Sequence, residues 1–342
     1  MLRVQNSEGL ETLATADLEI GATLSPHEFS FANRESVRFP PPSRLVRRGP
    51  NVIYLCAPVS GVAQSIFSVD VEDWFHILDV PSAPEISEWS GLPSRVEQNF
   101  RKLLDIFSQY QVQVTCFFLG WIAERFPHLV REAQAGGHEI ASHGYGHRLV
   151  YEQQRNEFYE DVRRARLLLE DVSGAPVTGY RAPGFSTTED TPWFFDALAD
   201  AGYHYDSSVF PAPRSHGGMR DARRDPYLAR EDLLELPISV TDMMGKPMCF
   251  FGGGYLRLFP YWLIKQKGRQ VLAEGRPVVF YIHPREIDPA HPRLPMSASR
   301  TFKSYINLEN TEAKVRQVLQ DFPVTTFQNL IRQYELVNSH VA

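Results

Sequence analysis

A cluster of three acids, Asp70, Glu72 and Asp73, comes at the end of an apolar stretch of the chain. The stretch Ile66–Val71 is rich in β-branched and aromatic residues, which predicts a strand. Folds with parallel sheets place their chemistry at the carboxyl ends of strands, so the three acids are candidates for catalysis. Taken alone, the cluster is equally consistent with a solvated acidic turn.

Two histidines follow another predicted strand, at 138–142, in the segment His143-Gly-Tyr-Gly-His147. The glycines allow the backbone to bend, so that both imidazoles can point at one metal ion. Two histidines and one carboxylate would leave positions open for water and substrate, which is typical of a catalytic rather than a structural metal site. An isolated H-x-x-x-H is a weak signal, but the acids at the end of another strand strengthen it.

Further polar residues follow later strands. Arg181, in Arg181-Ala-Pro-Gly-Phe-Ser186, can hold a carboxylate in its ionised form through charge-assisted hydrogen bonds. His283 ends a very apolar strand and is either a buried structural histidine or a proton donor. Asp206 also ends a strand, where a turn or a helix cap would equally explain it.

These residues lie in a region where strands and helices alternate, from residue 65 onward. Strands are predicted at 66–71, 114–119, 138–142, 177–181, 203–206, 234–239, 278–283 and 324–327. Helices are predicted at 94–107, 126–135, 151–169, 193–201 and 311–322, with a final helix after the last strand. The alternation predicts an α/β fold with about seven parallel strands, in a deformed and partly open (β/α) barrel. An open doubly wound sheet is the alternative. No glycine-rich phosphate loop follows the first strand, which argues against a nucleotide-binding fold.

Charge and composition bear on the partners, the domain organisation and the location of the protein. The net charge of −6 over 342 residues argues against a nucleic-acid partner, which would require a basic face. Residues 1–60 are proline-rich in part and lack periodicity, so we expect a poorly ordered extension, followed by a catalytic domain over residues 61–335. No signal peptide and no apolar stretch of membrane-spanning length is visible, which favours the cytoplasm, although export by another route stays open.

Five motifs, in this order, resemble those of the polysaccharide deacetylases, the NodB-homology domains of carbohydrate esterase family four. The match is nearest to the subfamily associated with exopolysaccharide and exosortase loci, and it covers about residues 65–330. The motifs are Ser68-Val-Asp-Val-Glu-Asp-Trp-Phe-His76, Gly137-His-Glu-Ile-Ala-Ser-His-Gly-Tyr-Gly-His147, Tyr180-Arg-Ala-Pro-Gly-Phe-Ser186, Gly252-Gly-Gly-Tyr-Leu-Arg257 and Phe280-Tyr-Ile-His-Pro284.

The resemblance implies a hydrolase of linear amide bonds that removes N-acetyl groups from the amino sugars of a bacterial exopolysaccharide or a lipid-linked oligosaccharide. It implies a divalent metal, most often Zn²⁺, held by His143, His147 and one acid of the first motif. It also implies Asp70 as general base, Arg181 as the residue that orients it, and His283 as general acid. Residues within these motifs, together with Asp206, are expected to contact the substrate: Trp74, Tyr145, Pro183, Gly184, Phe185, Asp206, Tyr255 and Arg257.

The chain departs from the usual family pattern at three positions. Val71 separates Asp70 from the next acids, Gly144 stands where many relatives have a hydroxyl residue, and Gly184 replaces an aromatic residue. These departures resemble the branch that includes allantoinases and peptidoglycan deacetylases. Hydrolysis of a small cyclic amide is therefore one alternative function, and non-catalytic binding of a polysaccharide is another.

The acid that completes the metal site depends on where the first strand ends. In a regular strand Asp70 and Glu72 point to the same face and Asp73 to the opposite one, which favours Glu72 as the ligand. If the strand ends at Val71, the following turn could instead bring in Asp73, with Glu72 turned aside. Both remain candidates, with a preference for Glu72.

Overall fold

The computed structural model describes residues 65–214 and 217–340, with side chains described as far as residue 333. The predicted extension over residues 1–60 lies outside the described residues. None of the described helices is both long and apolar enough to cross a membrane.

Most strands belong to a single nine-stranded sheet. The strands are Ser65–Val71 (β1), Thr115–Phe118 (β2), Glu139–Ser142 (β3), Gly179–Tyr180 (β4), Tyr205–Asp206 (β5), Tyr227–Arg230 (β6), Leu233–Glu235 (β7), Thr241–Met243 (β8), Lys246–Met248 (β9), Val278–Ile282 (β10) and Val324–Thr325 (β11). Strands β8 and β9 form a separate antiparallel pair.

The strand order in the sheet is β10-β1-β2-β3-β4-β5-β7-β6, and β11 also pairs with β1. Only β6 runs antiparallel, against β7. The sheet is curled and covered by helices, so the prediction of a partly open (β/α) barrel is confirmed, and eight of its described strands are parallel where about seven were expected. Strands β10, β1, β2, β3 and β4 are consecutive neighbours, which brings the segments that follow them to one edge.

The helices are Val96–Gln109 (α1), Gly120–Arg125 (α2), Pro127–Ala135 (α3), Arg155–Ser173 (α4), Phe194–Asp200 (α5), Gly253–Leu258 (α6), Tyr261–Ala273 (α7), Ala298–Tyr305 (α8), Thr311–Asp321 (α9) and Phe327–His340 (α10). Helix α4 begins later than the predicted residue 151, because Gln154 and Glu157 form a capping box. Helices α2, α6, α7 and α8 were not predicted.

The central strand β1 is buried along its whole length, which explains its nearly continuous apolar sequence. Phe67 packs against Phe107 of α1 and against Phe280 of β10. The buried hydroxyl of Ser68 donates a hydrogen bond to the Phe280 carbonyl. Tight packing on both faces holds β1 in a fixed register, and therefore fixes the position of the acids beyond it.

Candidate active site

The loops that follow β1 and β3 bring one carboxylate and two histidines together. Glu72 Oε1 lies 3.1 Å from His143 Nε2 and 2.9 Å from His147 Nε2. All three side chains are buried, and their candidate ligand atoms lie within 4.8 Å of one another. The histidines therefore converge on a single carboxylate, which is the arrangement that a metal site of two histidines and one acid needs.

Hydrogen bonding fixes which nitrogen of His143 can bind a cation. His143 Nδ1 lies 2.8 Å from the Arg181 carbonyl oxygen, which can only accept, so Nδ1 carries the proton. Nε2 of the neutral ring is then a lone-pair donor that faces Glu72 Oε1. Two acceptors at this distance repel each other unless a proton or a cation lies between them. The donor set therefore fits a divalent ion.

The loop that carries the two histidines is held in a constrained backbone conformation. Gly144 has φ +75° and His147 has φ +52°, in the left-handed region that side chains with a Cβ disfavour. The half-buried carboxylate of Asp161, on α4, accepts hydrogen bonds from Tyr145 N at 2.7 Å and from Gly146 N at 3.2 Å. Asp161 thus ties the loop to α4 between its two histidines.

Asp73 is turned away from the histidines, although β1 ends at Val71. Its carboxylate accepts hydrogen bonds from the Ser94 hydroxyl at 2.5 Å and from the backbone N–H groups of Arg95 and Val96. Asp73 therefore serves the unpaired N–H groups at the start of α1, which is a favourable position for a negative charge. The inference that an early strand end would bring in Asp73 is wrong, and the predicted metal role of Asp73 has no geometric support.

Asp70 faces the same cavity as Glu72 and is held by a buried arginine. Arg181 Nη1 donates to Asp70 Oδ1 at 2.7 Å and to the Ser68 hydroxyl at 2.8 Å. The guanidinium also donates to the Ser207 carbonyl and lies 4.2 Å from the Phe117 ring centroid. One oxygen of Asp70 is thereby fixed, while Oδ2 lies 3.8 Å from His283 Nε2.

His283 is oriented by two residues that sequence reasoning did not identify as a unit. Its Nδ1 lies 3.0 Å from Glu286 Oε2, and Arg257 Nε donates to Glu286 Oε1 at 2.8 Å. Since a carboxylate only accepts, Nδ1 carries a proton and Nε2 faces Asp70 and Glu72. The spacing of Glu286, three residues after His283, is that of a capping box, and it could have identified the pair.

The charges around Glu72 and His283 favour the ionised form of both side chains. Burial opposes ionisation of Glu72, but the charges of His147 and His283 and the close contacts of its carboxylate with both metal-site histidines hold its pKa well below the usual value. Burial opposes the charged form of His283, but Glu72 and Glu286 outweigh it, so the pKa of His283 is raised. His283 is thus favoured as a charged imidazolium beside ionised carboxylates.

These groups open into a cavity of about 500 Å³. Asp70, Glu72, His147 and His283 line it. Of the residues predicted to contact substrate, four line it as well: Gly184, Phe185, Tyr255 and Arg257. Arg257 does so with its guanidinium already engaged by Glu286.

The other four residues predicted to contact substrate do not line this cavity. Trp74 is buried and donates from Nε1 to the Pro93 carbonyl, and Pro183 is buried in a single helical turn. The Tyr145 hydroxyl donates to Glu124, on the far side of the histidine loop. Asp206 is fully buried and accepts from the Ser208 hydroxyl. Internal hydrogen bonds or packing occupy these side chains, and their contact with substrate stays a prediction.

His76 lines both this cavity and an adjoining groove of about 1020 Å³. Its Nδ1 accepts a hydrogen bond from Asp73 N, so Nε2 carries the proton of the neutral ring. That Nε2 is buried and has no hydrogen-bond partner among the described residues. Burial holds the pKa of His76 well below the usual value, so it stays neutral.

Comparison with known families divides the described region into two parts. Residues 90–205 match the family model described as "Polysaccharide deacetylase". Residues 207–332 match the model described as "Domain of unknown function (DUF3473)". The first match supports the family predicted from the five motifs, and the second contains His283, Glu286 and Arg257.

Two curated relatives also match. A peptidoglycan deacetylase of Helicobacter pylori is 27% identical over 113 residues, which are 33% of this chain and 38% of the relative. A peptidoglycan-N-acetylglucosamine deacetylase of Bacillus cereus is 30% identical over 82 residues, 24% of this chain and 30% of the relative. The matched part thus spans only about a third of each relative's own length, 38% and 30%.

Two solved structures share the fold. One, from Mycobacterium smegmatis, was assigned to the polysaccharide deacetylases; it has a TM-score of 0.53 and 21% identity, covering 83% of this chain and 94% of its own. The other, an allantoinase, has a TM-score of 0.53 and 18% identity, covering 81% and 92%. At these identities the likeness shows the fold alone.

Proposed function

We propose, from the polysaccharide deacetylase family that residues 90–205 match, that the chain is a metal-dependent hydrolase that removes N-acetyl groups from amino sugars of a bacterial exopolysaccharide. The observation that carries the proposal is the convergence of Glu72, His143 and His147 beside Asp70 and His283. The curated relatives act, by their names, on peptidoglycan, which is also a polymer of N-acetylated sugars. A lipid-linked oligosaccharide would carry the same group.

Glu72, His143 and His147 are the proposed ligands of the divalent ion, with Zn²⁺ expected because imidazole and carboxylate ligands suit it. An ion at this position would polarise the carbonyl of the acetyl group and lower the pKa of a water molecule. The His143 Nδ1–H bond to the Arg181 carbonyl orients the ring for this role.

Asp70 is the proposed general base. The bond from Arg181 fixes Oδ1, so that Oδ2 is the oxygen available to take a proton from the attacking water. Arg181 is itself held by Ser68, Ser207 and the Phe117 ring, so it positions the base without contacting the cavity. A fixed geometry of this kind lowers the reorganisation that the reaction requires.

His283 is the proposed general acid. Glu286 holds its Nδ1 proton, which leaves the Nε2 proton facing the cavity beside Asp70 and Glu72. The raised pKa of His283 keeps that proton available near neutral pH. The sugar amine can then leave as a neutral group, because His283 gives it the proton.

The deciding experiment measures acetate released from N-acetylglucosamine oligomers and from purified N-acetylated exopolysaccharide. We expect release that a chelator abolishes and added Zn²⁺ restores. The same preparation is tested on allantoin, a small cyclic amide. Absence of acetate under every metal condition, together with hydrolysis of the cyclic amide, would contradict the proposal in favour of the alternative.

A further inference from the structure

The cavity beside the proposed catalytic groups carries an excess of positive charge. The cationic side chains that line it are Arg214, Arg257, Arg285, Arg300 and Lys303, against the two carboxylates of Asp70 and Glu72. Asp70 is neutralised by Arg181, and Glu72 faces two histidines. The carboxylates that line the cavity therefore do not balance its cations.

Three of these cations form no ion pair with a carboxylate among the described residues: Arg285, Arg300 and Lys303. Arg257, by contrast, is engaged by Glu286. The Nε atoms of Arg285 and Arg300 are buried and have no hydrogen-bond partner in the described part of the chain. Such unpaired donors are costly unless a ligand or water satisfies them.

The surroundings of Arg300 show that the cations crowd one another. Burial lowers the pKa of Arg300. The charge of nearby Asp79 opposes this shift, and the weaker effects of the Arg285 and Arg214 charges add to it. Arg300 Nη2 donates to the Leu78 carbonyl, which fixes its head group at the cavity wall. Like charges held together in this way favour the binding of an anion.

The three cations come from a different part of the sequence than the proposed metal ligands. Arg285, Arg300 and Lys303 all lie within residues 207–332, the part that matches a domain of unknown function. Helix α8 carries Arg300 and Lys303, which also line the adjoining groove beyond His76. The three cations thus stand where the cavity and the groove meet, beside the reacting groups.

We propose that Arg285, Arg300 and Lys303 bind an oxyanion, a phosphate or a carboxylate, attached to the saccharide whose acetyl group the enzyme removes. The inference rests on the proposed function, because it assigns a further group of the same substrate. Arginine guanidinium groups match both oxyanions with two parallel hydrogen bonds, and the lysine ammonium adds charge at the cavity mouth. The cavity volume of about 500 Å³ suits a saccharide with such a substituent.

The test is calorimetric binding to the zinc-loaded full-length protein, with three probes. They are N-acetylglucosamine, N-acetylglucosamine 1-phosphate and N-acetylmuramic acid, which are neutral, phosphorylated and carboxylated. We expect at least one charged probe to bind about ten-fold more tightly than the neutral one, since hydrogen bonds to charged groups contribute this much. The preferred probe identifies the oxyanion, and its affinity should fall with added salt.

A phosphate or carboxylate can also bind zinc directly, so variants decide the result. Arg285→Gln and Lys303→Gln should each remove most of the preference for the charged probe, with zinc content and the affinity for the neutral probe retained. The matched controls are Arg131→Gln and Lys246→Gln, which remove the same charges at exposed positions outside the cavity. The controls should keep the preference.

The proposal is overturned if the wild-type protein binds the three probes equally, or if the preference survives in both cavity variants. It is also overturned if the variants weaken all three probes alike. Acetate release from neutral N-acetylglucosamine oligomers is measured in parallel. Its absence would refute the proposed deacetylation, while the charge preference would still stand or fall on the binding data.

Discussion

Replacement of Glu286 by glutamine tests the proposed role of His283 as the proton donor. Glu286 accepts from His283 Nδ1 at 3.0 Å, and the burial of Glu286 and the opposite charges of the pair strengthen this hydrogen bond. Loss of a hydrogen bond to a charged group costs about 1.5–3 kcal/mol, which corresponds to about one to two units in the pKa of His283. The pKa of His283 is raised in the native protein, so the Glu286→Gln variant should hold its imidazolium proton only to a lower pH.

The assay is the pH profile of acetate release. The limb on which activity falls as pH rises should move to lower pH by about one to two units, and kcat/KM above neutral pH should fall by about ten- to a hundred-fold. At low pH, where His283 stays protonated in both proteins, the two rates should approach each other. A purely structural role would lower activity equally at every pH.

Two measurements distinguish a change in the pKa of His283 from a loss of folding or of metal in this variant. Arg257 keeps acceptors in the backbone carbonyls of Lys303, Ser304 and Ile306, so its charge is not left without partners. Unfolding free energy and zinc content should therefore be measured alongside activity. The reasoning is refuted if Glu286→Gln is folded and metal-loaded but its basic limb stays at the wild-type pH.

Two further predictions concern groups outside the reacting centre. Burial raises the pKa of Glu235 well above its usual value and that of neighbouring Asp206 to about 6. Because the folded state favours the protonated carboxyl groups, the wild-type protein should lose stability as pH rises from the ordinary carboxyl pKa through these raised values. Glu235→Gln removes the part of this loss that Glu235 contributes and should flatten the pH dependence of the unfolding free energy in urea; an unchanged slope would contradict the assignment. Asp161→Asn weakens the bonds that hold Tyr145 N and Gly146 N and should weaken zinc binding by about ten-fold or more, whereas an unchanged zinc affinity would show that the loop holds its conformation without Asp161.

The parallel sheet was predictable because its strands are nearly continuous apolar runs, and β1, β2 and β10 lie within two residues of their predicted bounds. Helix α8 was not predicted, because its amphipathic pattern covers only eight residues between loops. Sequence periodicity therefore located the strand ends that carry chemistry, and missed the short helix that carries two cations of the cavity wall.

Within the site, sequence patterns located the residues that directly follow strands, which are Glu72, His143, Arg181 and His283. They could not assign Asp73, since its role depends on the N–H groups of α1, which approach it only in the folded chain. Asp161 gave no signal, because an acid in a charged helix is usually solvated. Contacts of this kind depend on tertiary packing and are not encoded in local spacing.

The most direct test of the account is the zinc content of three purified variants, Glu72→Gln, His143→Ala and Asp73→Asn, measured after dialysis by elemental analysis. We predict that Glu72→Gln and His143→Ala lose stoichiometric zinc, because each removes a proposed ligand. Asp73→Asn should keep zinc and lose about 0.5–2 kcal/mol of unfolding free energy, because its carboxylate caps α1. Retained zinc in both Glu72→Gln and His143→Ala, or loss of zinc in a folded Asp73→Asn, would contradict the proposed metal site.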